Sequence, residues 1–244
     1  ETDLNYPFWT PDRELCGHPD FKVNCSGYFA EFSISSLNFQ ILQMNFDDHN
    51  ITIRPARTSD YINTMNYDLC PQYPESILIN QDVLPFSIDT VMSIFYYNCS
   101  DLKVDVPPNG SIRKLDCDSD ISTLTLEKTY FVSSSSHFED RAILDELSSS
   151  CKRNVSIPVS QSVLRIEERN QSLADIKDAL FNGFKVRFNS DCSKCVASGG
   201  ACGYNPISRT FVCYCINGYQ ERTCSSGQKS NDFFCSISSY LFLI

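Results

Sequence analysis

Chemistry at a protein surface needs nucleophiles, acid–base pairs or metal ligands, and this sequence is poor in all of them except cysteine. It has three histidines, His18, His49 and His137, far apart along 244 residues, with neither a Gly-x-Ser-x-Gly nor a His-Glu-x-x-His pattern beside them. A hydrolase triad would have to be assembled from distant segments, which no local pattern supports. The adjacent acids Asp47-Asp48 and Glu139-Asp140 offer carboxylates for glycoside hydrolysis. That reaction needs two carboxyl groups facing each other across a sugar, and neighbouring acids in loops are more simply solvated surface. There is no Gly-rich phosphate loop, catalytic Lys or Asp-Phe-Gly, so nothing in these residues is expected to bind ATP. The expectation is a chain that binds rather than catalyses, with no catalytic residue and no cofactor.

Cysteine is abundant. Thirteen cysteines run from Cys16 to Cys235, a scatter that suits bridges along the whole chain better than one metal site and implies an oxidising compartment. Six fall in the run Cys192-x2-Cys195-x6-Cys202-x10-Cys213-x-Cys215-x8-Cys224. Cys192-x2-Cys195 alone would suit zinc or redox chemistry, with Cys213-x-Cys215 as the other half of a site. Zinc modules usually repeat the Cys-x2-Cys pair, whereas one residue between cysteines, then eight, then a last cysteine is the spacing of EGF-like disulfide modules. Structural bridges are therefore expected, Cys215–Cys224 first among them, and no metal. Too few large apolar residues remain in this run for a core of its own, so cross-links must hold it. The expected bridging set is Cys16, Cys25, Cys70, Cys99, Cys117, Cys151, Cys192, Cys195, Cys202, Cys213, Cys215 and Cys224, which leaves Cys235 as a free or intermolecular thiol. Asn-x-Ser/Thr occurs at Asn24, Asn50, Asn98, Asn109, Asn154 and Asn170. These are candidate N-glycosylation sites, with Cys at the middle position a poor context at Asn24 and Asn98.

Twenty basic against thirty acidic side chains give a net charge of −10, and no Lys/Arg run is longer than a pair such as Lys152-Arg153. Nucleic acid is not an expected partner. The opening Glu-Thr-Asp-Leu-Asn lacks the basic and apolar regions of a signal peptide, so a mature or front-trimmed chain is expected. Phe233 to Ile244 is apolar but short and broken by Cys235 and serines, whereas a membrane span takes about 20 apolar residues. Ser225-Ser226-Gly227 is a faint lipid-anchor signal only. Membrane attachment is expected only through an anchor outside these residues.

The elements that must position any site read mainly as strands. Phe29 to Ile53 alternates in short β-prone groups separated by Asn, Asp and Ser, the pattern of a β-meander. Val91 to Cys99 reads as a core strand ending on a cysteine, and Leu124-Thr-Leu and Tyr130-Phe-Val continue the pattern. Asp140 to Cys151 places Ile143, Leu144, Leu147 and Cys151 at helical spacing, and Ser172 to Phe181 begins with a capping Ser and stops before Gly183; both are predicted short helices. Val155 to Val159 and Val163 to Ile166 are predicted extended. A domain boundary is expected in the Ser/Asp-rich stretch 118–140.

Taken in order, Tyr6-Pro-Phe-Trp9, Cys16-Gly-His-Pro19, Phe21-Lys-Val-Asn-Cys25, the run Ile34 to Leu42, Leu69-Cys-Pro71 and Phe95-Tyr-Tyr-Asn-Cys99 form one series of landmarks. Leu147 to Cys151, Val155 to Val159, Leu180-Phe-Asn-Gly-Phe184, Cys192-x2-Cys195-x2-Ser-Gly-Gly-x-Cys-Gly203 and Phe211-Val-Cys-x-Cys215 form a second. From Tyr6 to Cys224 the chain resembles the ectodomains of plant wall-associated and leaf-rust-resistance-type receptor-like kinases. The resemblance implies a mainly β fold with minor α content, a disulfide-rich extracellular domain in two parts. Residues 1–117 would be a galacturonan-binding domain, 118–224 the wall-associated kinase C-terminal domain with its cysteine module at 192–224, and 225–244 a tail. Relatives usually carry two more cysteines just before the Tyr-Pro-Phe-Trp segment, and this sequence begins too late to include them.

The function so implied is recognition of pectic polysaccharide at the wall face of the plasma membrane, in proteins whose intracellular half is a serine/threonine kinase. A polyuronate is repelled by a chain of net charge −10, so local charge must compensate. Arg54 and Arg57 are candidates for bidentate carboxylate contacts, with calcium bridging acid to acid as the other route. Tyr61, Tyr67 and Tyr73 are candidates for stacking on sugar faces. Ordinary surface placement is the simpler account of either arginine, and a core role is the simpler account of Trp9, the only tryptophan. Two other functions remain open: a module or secreted decoy that binds a peptide, protein or co-receptor, and a wall glycoside hydrolase.

Overall fold

The computed structural model describes residues 6–11, 16–25, 29–34, 37–45, 48–56, 75–107, 111–115, 128–133, 140–164, 173–187 and 190–225. Strands dominate, as the alternation predicts, and four disulfides join described cysteines. Two compact units interleave along the chain, one drawn from Glu1–Ala56, Ile79–Ser87 and Lys185–Ile244, the other from Arg57–Leu78 and Ile88–Phe184. No helix among the described residues is long and apolar enough to cross a membrane.

The first unit holds a five-stranded sheet of β1 (Val23–Asn24), β2 (Ala30–Ile34), β3 (Leu37–Asn45), β4 (Asn50–Pro55) and β9 (Phe184–Arg187), in the order β1-β2-β3-β4-β9. The first four form the expected antiparallel meander. Its period-two pattern buries Phe32, Phe39, Ile41, Ile51 and Ile53 on one face. Phe8 and Phe21 pack edge-on and tilted against Phe32 at 5.1 and 5.8 Å, and Phe32 stacks on Phe39 at 5.6 Å. The register shifts between Ile41 and Gln43, where one extra residue keeps Gln43 opposite Thr52 and both polar side chains off the core.

The same unit contains the cysteine module: α4 (Ser190–Ala197) and a three-stranded antiparallel sheet of β10 (Ala201–Asn205), β11 (Thr210–Cys215) and β12 (Gly218–Gln220). Bridges Cys192–Cys202, Cys195–Cys213 and Cys215–Cys224 join first to third, second to fourth and fifth to sixth cysteine. The helix α4 was not foreseen. It places Cys192 and Cys195 three apart on one buried face, so both point at the hairpin they bridge to. Gly200 is required here, since a Cβ would lie 2.4 Å from the Cys213 sulfur and 2.7 Å from that of Cys224.

The second unit is a four-stranded sheet of β6 (Ile112–Leu115), β7 (Lys128–Val132), β5 (Thr90–Cys99) and β8 (Cys151–Ser160), ordered β6-β7-β5-β8. The helix α1 (Arg141–Ser150) lays Ile143 and Leu147 on Tyr96, Ile112, Tyr130 and Val132. Cys99 and Cys151 are cross-strand partners and are bridged. Because β5 pairs with the later strands β7 and β8, these units do not follow the contiguous division into 1–117 and 118–224. The predicted helices at 140–151 and 172–181 correspond to α1 and α3 (Leu173–Asn182). Val163 and Leu164 were expected to be extended and instead lie in the short helix α2 (Gln161–Leu164). Asp89 turns the chain there: its carboxylate accepts from the Ser162 backbone N–H at 2.8 Å and from the Ser160 and Ser162 hydroxyls at 2.8 and 3.0 Å, an alternative to continued strand.

The Cys16-Gly-His-Pro segment ties the first sheet to the cysteine module within the first unit. His18 accepts from the Asp20 N–H through Nδ1 at 3.3 Å, capping the 3₁₀ turn Pro19–Phe21, and its ring meets Tyr204 edge-on at 4.8 Å. Tyr6 packs on Phe211 at 5.0 Å, and its hydroxyl pKa is raised by burial, with Tyr204 and Asp191 adding to the effect. Trp9 is a core residue, 8% exposed, whose Nε1–H donates to the His18 carbonyl at 2.9 Å.

Two expectations follow from this segment. A Cβ at Gly17 would lie 2.6 Å from both the Pro7 carbonyl oxygen and Trp9 Cδ1, so Gly17→Ala should cost about 1–3 kcal/mol, read from the urea midpoint; an unchanged midpoint contradicts this packing. Burial holds the His18 pKa below its ordinary value of 6.5, against a smaller opposing pull from Asp20. A depressed folded-state pKa means stability is fully present above about pH 6.5 and declines as pH falls below it toward the folded value. The thermal midpoint should therefore drop more between pH 7.5 and pH 5 in the native chain than in His18→Asn, which keeps a capping oxygen; equal drops would remove His18 from the account.

Candidate functional site

The outer face of the β1–β4 sheet is built from the residues that alternate with its core. Register places Asn24, Glu31, Gln40 and Arg54 side by side across four strands, with Ser33 beside Asn38 and Gln43 beside Thr52 in neighbouring rows. The central row is hydrogen-bonded through its side chains. Gln40 Nε2 donates to Glu31 Oε1 at 2.9 Å, and Arg54 Nε donates to Gln40 Oε1 at 3.1 Å. An acceptor on one side and a donor on the other fix which way the Gln40 amide faces. In the next row the Ser33 hydroxyl donates to Asn38 Oδ1 at 2.6 Å. Phe29, 40% exposed, stands with its ring 5.6 Å from the Arg54 guanidinium, a cation–π contact that holds the guanidinium.

An exposed aromatic ring, amides, hydroxyls and one guanidinium on one face of a sheet are groups able to bind a sugar chain: a ring packs on C–H faces, and polar groups pair with hydroxyls and carboxylate. β9 borders this face beyond β4. Its Phe184 and Val186 are buried at 1% and 0%, and Lys185 and Arg187 alternate with them. Neither was picked out from sequence, because their strand neighbours lie some 130 positions earlier.

Of the residues that sequence marked for ligand binding, Arg54 is on this face; Arg57, Tyr61, Tyr67 and Tyr73 lie outside the described residues. Cys16 is disulfide-bonded, Cys25 is half-buried, and Cys70, Cys117 and Cys235 lie outside the described residues. Cys213, Cys215 and Cys224 bring three sulfurs within 4.8 Å of one another, close enough for a metal, but the bridges Cys195–Cys213 and Cys215–Cys224 occupy all three. Asn24, Asn98 and Asn154 are exposed, Asn50 is half-buried with its Oδ1 enclosed, and Asn109 and Asn170 lie outside the described residues. Of the paired acids, Asp48 bonds Asn45 through side chain and backbone, and Asp140 accepts from the Ser111 hydroxyl. Both have local structural duties; Asp47, Glu139 and His137 lie outside the described residues.

Comparison with known proteins gives two family matches. Residues 1–55 match the wall-associated receptor kinase galacturonan-binding family and residues 116–218 the wall-associated receptor kinase C-terminal family. Among curated relatives from Arabidopsis thaliana, leaf rust 10 disease-resistance locus receptor-like protein kinase-like 2.1 is 56% identical over 224 residues, which is 92% of this chain and 33% of the relative. The like 2.8 protein is 39% identical over 248 residues, covering 100% of this chain and 26% of the relative. The like 2.5 protein is 37% identical over 217 residues, 86% and 31% respectively. The chain thus spans a third or less of the length of these relatives. No solved structure matches it.

Proposed function

Because the chain belongs to the wall-associated receptor kinase-like ectodomain family, with both the galacturonan-binding and the C-terminal domains matched, we propose that it is an extracellular module that binds pectic polysaccharide on the outer face of β1–β4. The observation that carries this reading is the Glu31–Gln40–Arg54 row beside Phe29. The galacturonan-binding match ends at residue 55, so it contains every strand of that row. Arg54 supplies the cation that a uronate requires, and Gln40 and Phe29 hold it in place, which lowers the entropy lost on binding. Arg57, Tyr61 and Tyr67 follow β4 directly in sequence and are proposed as further contacts, with calcium as a bridge between ligand and protein carboxylates. In a full-length receptor of this family the module would sit at the wall face of the membrane and report the state of the wall to an intracellular kinase; it has no catalytic role of its own.

Calorimetric titration of the secreted protein with defined oligogalacturonides, with and without calcium and across a salt series, tests the reading. Saturable binding that weakens with salt is expected. Arg54→Ala should weaken it about tenfold, the loss of one charge-assisted contact, and Arg54→Lys should recover only part, because an ammonium lacks the planar fork. No binding by folded protein in either calcium condition would favour a peptide or protein ligand instead.

A further inference from the structure

The tripeptide Asn50-Ile51-Thr52 opens β4 directly after His49, which turns the chain with a φ of 53°. The Asn45–Asn50 pair is the last of the β3–β4 hairpin. Asn45 closes the turn through both ends of its amide, Nδ2 donating to the Asp48 carboxylate at 2.7 Å and Oδ1 accepting from the Asp48 N–H at 3.0 Å. Asn50 is placed differently: it is half-buried, and its Oδ1 is enclosed without a hydrogen-bond partner. The two amide atoms diverge from Cγ, so an oxygen turned inward leaves the Nδ2 donor on the outer side.

Ile51 and Ile53 are wholly buried on the core side, so Asn50, Thr52 and Arg54 alternate onto the outer face. At roughly 3.4 Å per residue, Asn50 lies about 14 Å along β4 from Arg54, at the hairpin end of that face. The Gln43–Thr52 pair separates it from the Glu31–Gln40–Arg54 row. An Asn-x-Thr at the mouth of a hairpin is an acceptor for N-glycosylation in a secreted chain, and the addition is bulky and hydrophilic. Asn24 is less suited, because Cys25 occupies the middle position of its tripeptide and Asn24 stands in the row itself.

We propose that Asn50 is N-glycosylated, and that its glycan is a steric filter which closes the outer face to a folded protein partner while leaving the Glu31–Gln40–Arg54 row open to a single extended chain. The donor is a lipid-linked oligosaccharide pyrophosphate. Asn50 Nδ2 forms the bond to the anomeric carbon, the carbon–oxygen bond to pyrophosphate breaks with its electron pair going to the leaving phosphate, and one amide proton passes to base. A folded partner covers about 800 Å² of a standard interface, a disc about 16 Å in radius, so one centred on Gln40 or Arg54 reaches Asn50. A sugar chain lying along the row runs across the strands and leaves the hairpin end clear. Selectivity comes from a clash built against the wrong class of ligand. The inference rests on the outer-face reading and adds its discrimination between polymer and protein.

Occupancy is read first, by mass spectrometry of peptides from the secreted native chain after release of N-glycans in heavy-oxygen water, which marks each occupied Asn as heavy Asp. Asn50 should be marked; an unmarked Asn50 in folded protein overturns the proposal. The filter is read with an antibody fragment selected on the Asn50→Gln chain and shown by Arg54→Ala to bind the outer face. The fragment should bind the glycosylated native chain at least about a hundredfold more weakly than Asn50→Gln, while oligogalacturonide Kd values agree within about twofold. The native chain stripped of glycan enzymatically should behave as Asn50→Gln does, and it carries the test if that variant folds poorly. Equal fragment binding with and without the glycan, or oligogalacturonide binding that changes when the glycan is removed, overturns the filter. If no form binds oligogalacturonide while the glycan is present and the fragment is excluded, the polysaccharide reading fails and the exclusion of protein partners stands.

Discussion

Phe32 sits among Phe8, Phe21 and Phe39 with ring centroids 5.1 to 5.8 Å away, and all four rings are at most 2% exposed. This cluster fixes the register of the meander. A one-residue slip of β2 or β3 would turn Glu31 or Gln40 into the aromatic core and Phe32 or Phe39 out to water, a loss of several kcal/mol per ring together with buried polar groups. The row of Asn24, Glu31, Gln40 and Arg54 exists because the aromatic side of the same strands allows no other alignment. The bulge between Ile41 and Gln43 preserves that sidedness for the rest of β3.

A different constraint governs the residues from Ser190 onward. There the apolar content is too small for a core, and three bridges within the span Cys192 to Cys224 take its place. The sulfurs crowd so closely that Gly200 has no room for a methyl group. Tyr6 and His18 cover Phe211 and Tyr204, so the module gains from the N-terminal segment the apolar contact it cannot make alone.

Local pattern carried much of this architecture. The meander, β5 ending on Cys99, and the helices α1 and α3 each announce themselves through a period of two or of 3.6. The helix α4 did not, because its apolar face consists of two cysteines three apart, a signal that reads equally as a ligand motif. The short helix α2 did not, because it is set by Asp89, some 70 residues away in sequence. The candidate face was only half legible: Arg54 lies in a strand whose alternation is plain, but its partnership with Gln40 and Glu31 depends on register, and the placement of Lys185 and Arg187 depends on which strand closes the sheet. Sheet order is a property of long-range packing that no window of sequence contains.

The position of β9 bears on how such a protein can be dissected or recombined. With β9 in place, β4 is an interior strand and its backbone groups are paired on both sides. A fragment ending at residue 117 would lose β9 and present β4 as an open edge, a template for pairing with the next molecule. Modular exchange between relatives at that point would also trade away the hydrogen bonds that seal the sheet. The segment that the galacturonan-binding family match delimits, residues 1–55, is therefore smaller than the unit that closes its own sheet, and an exchange that keeps the sheet closed has to carry β9 along with β1–β4.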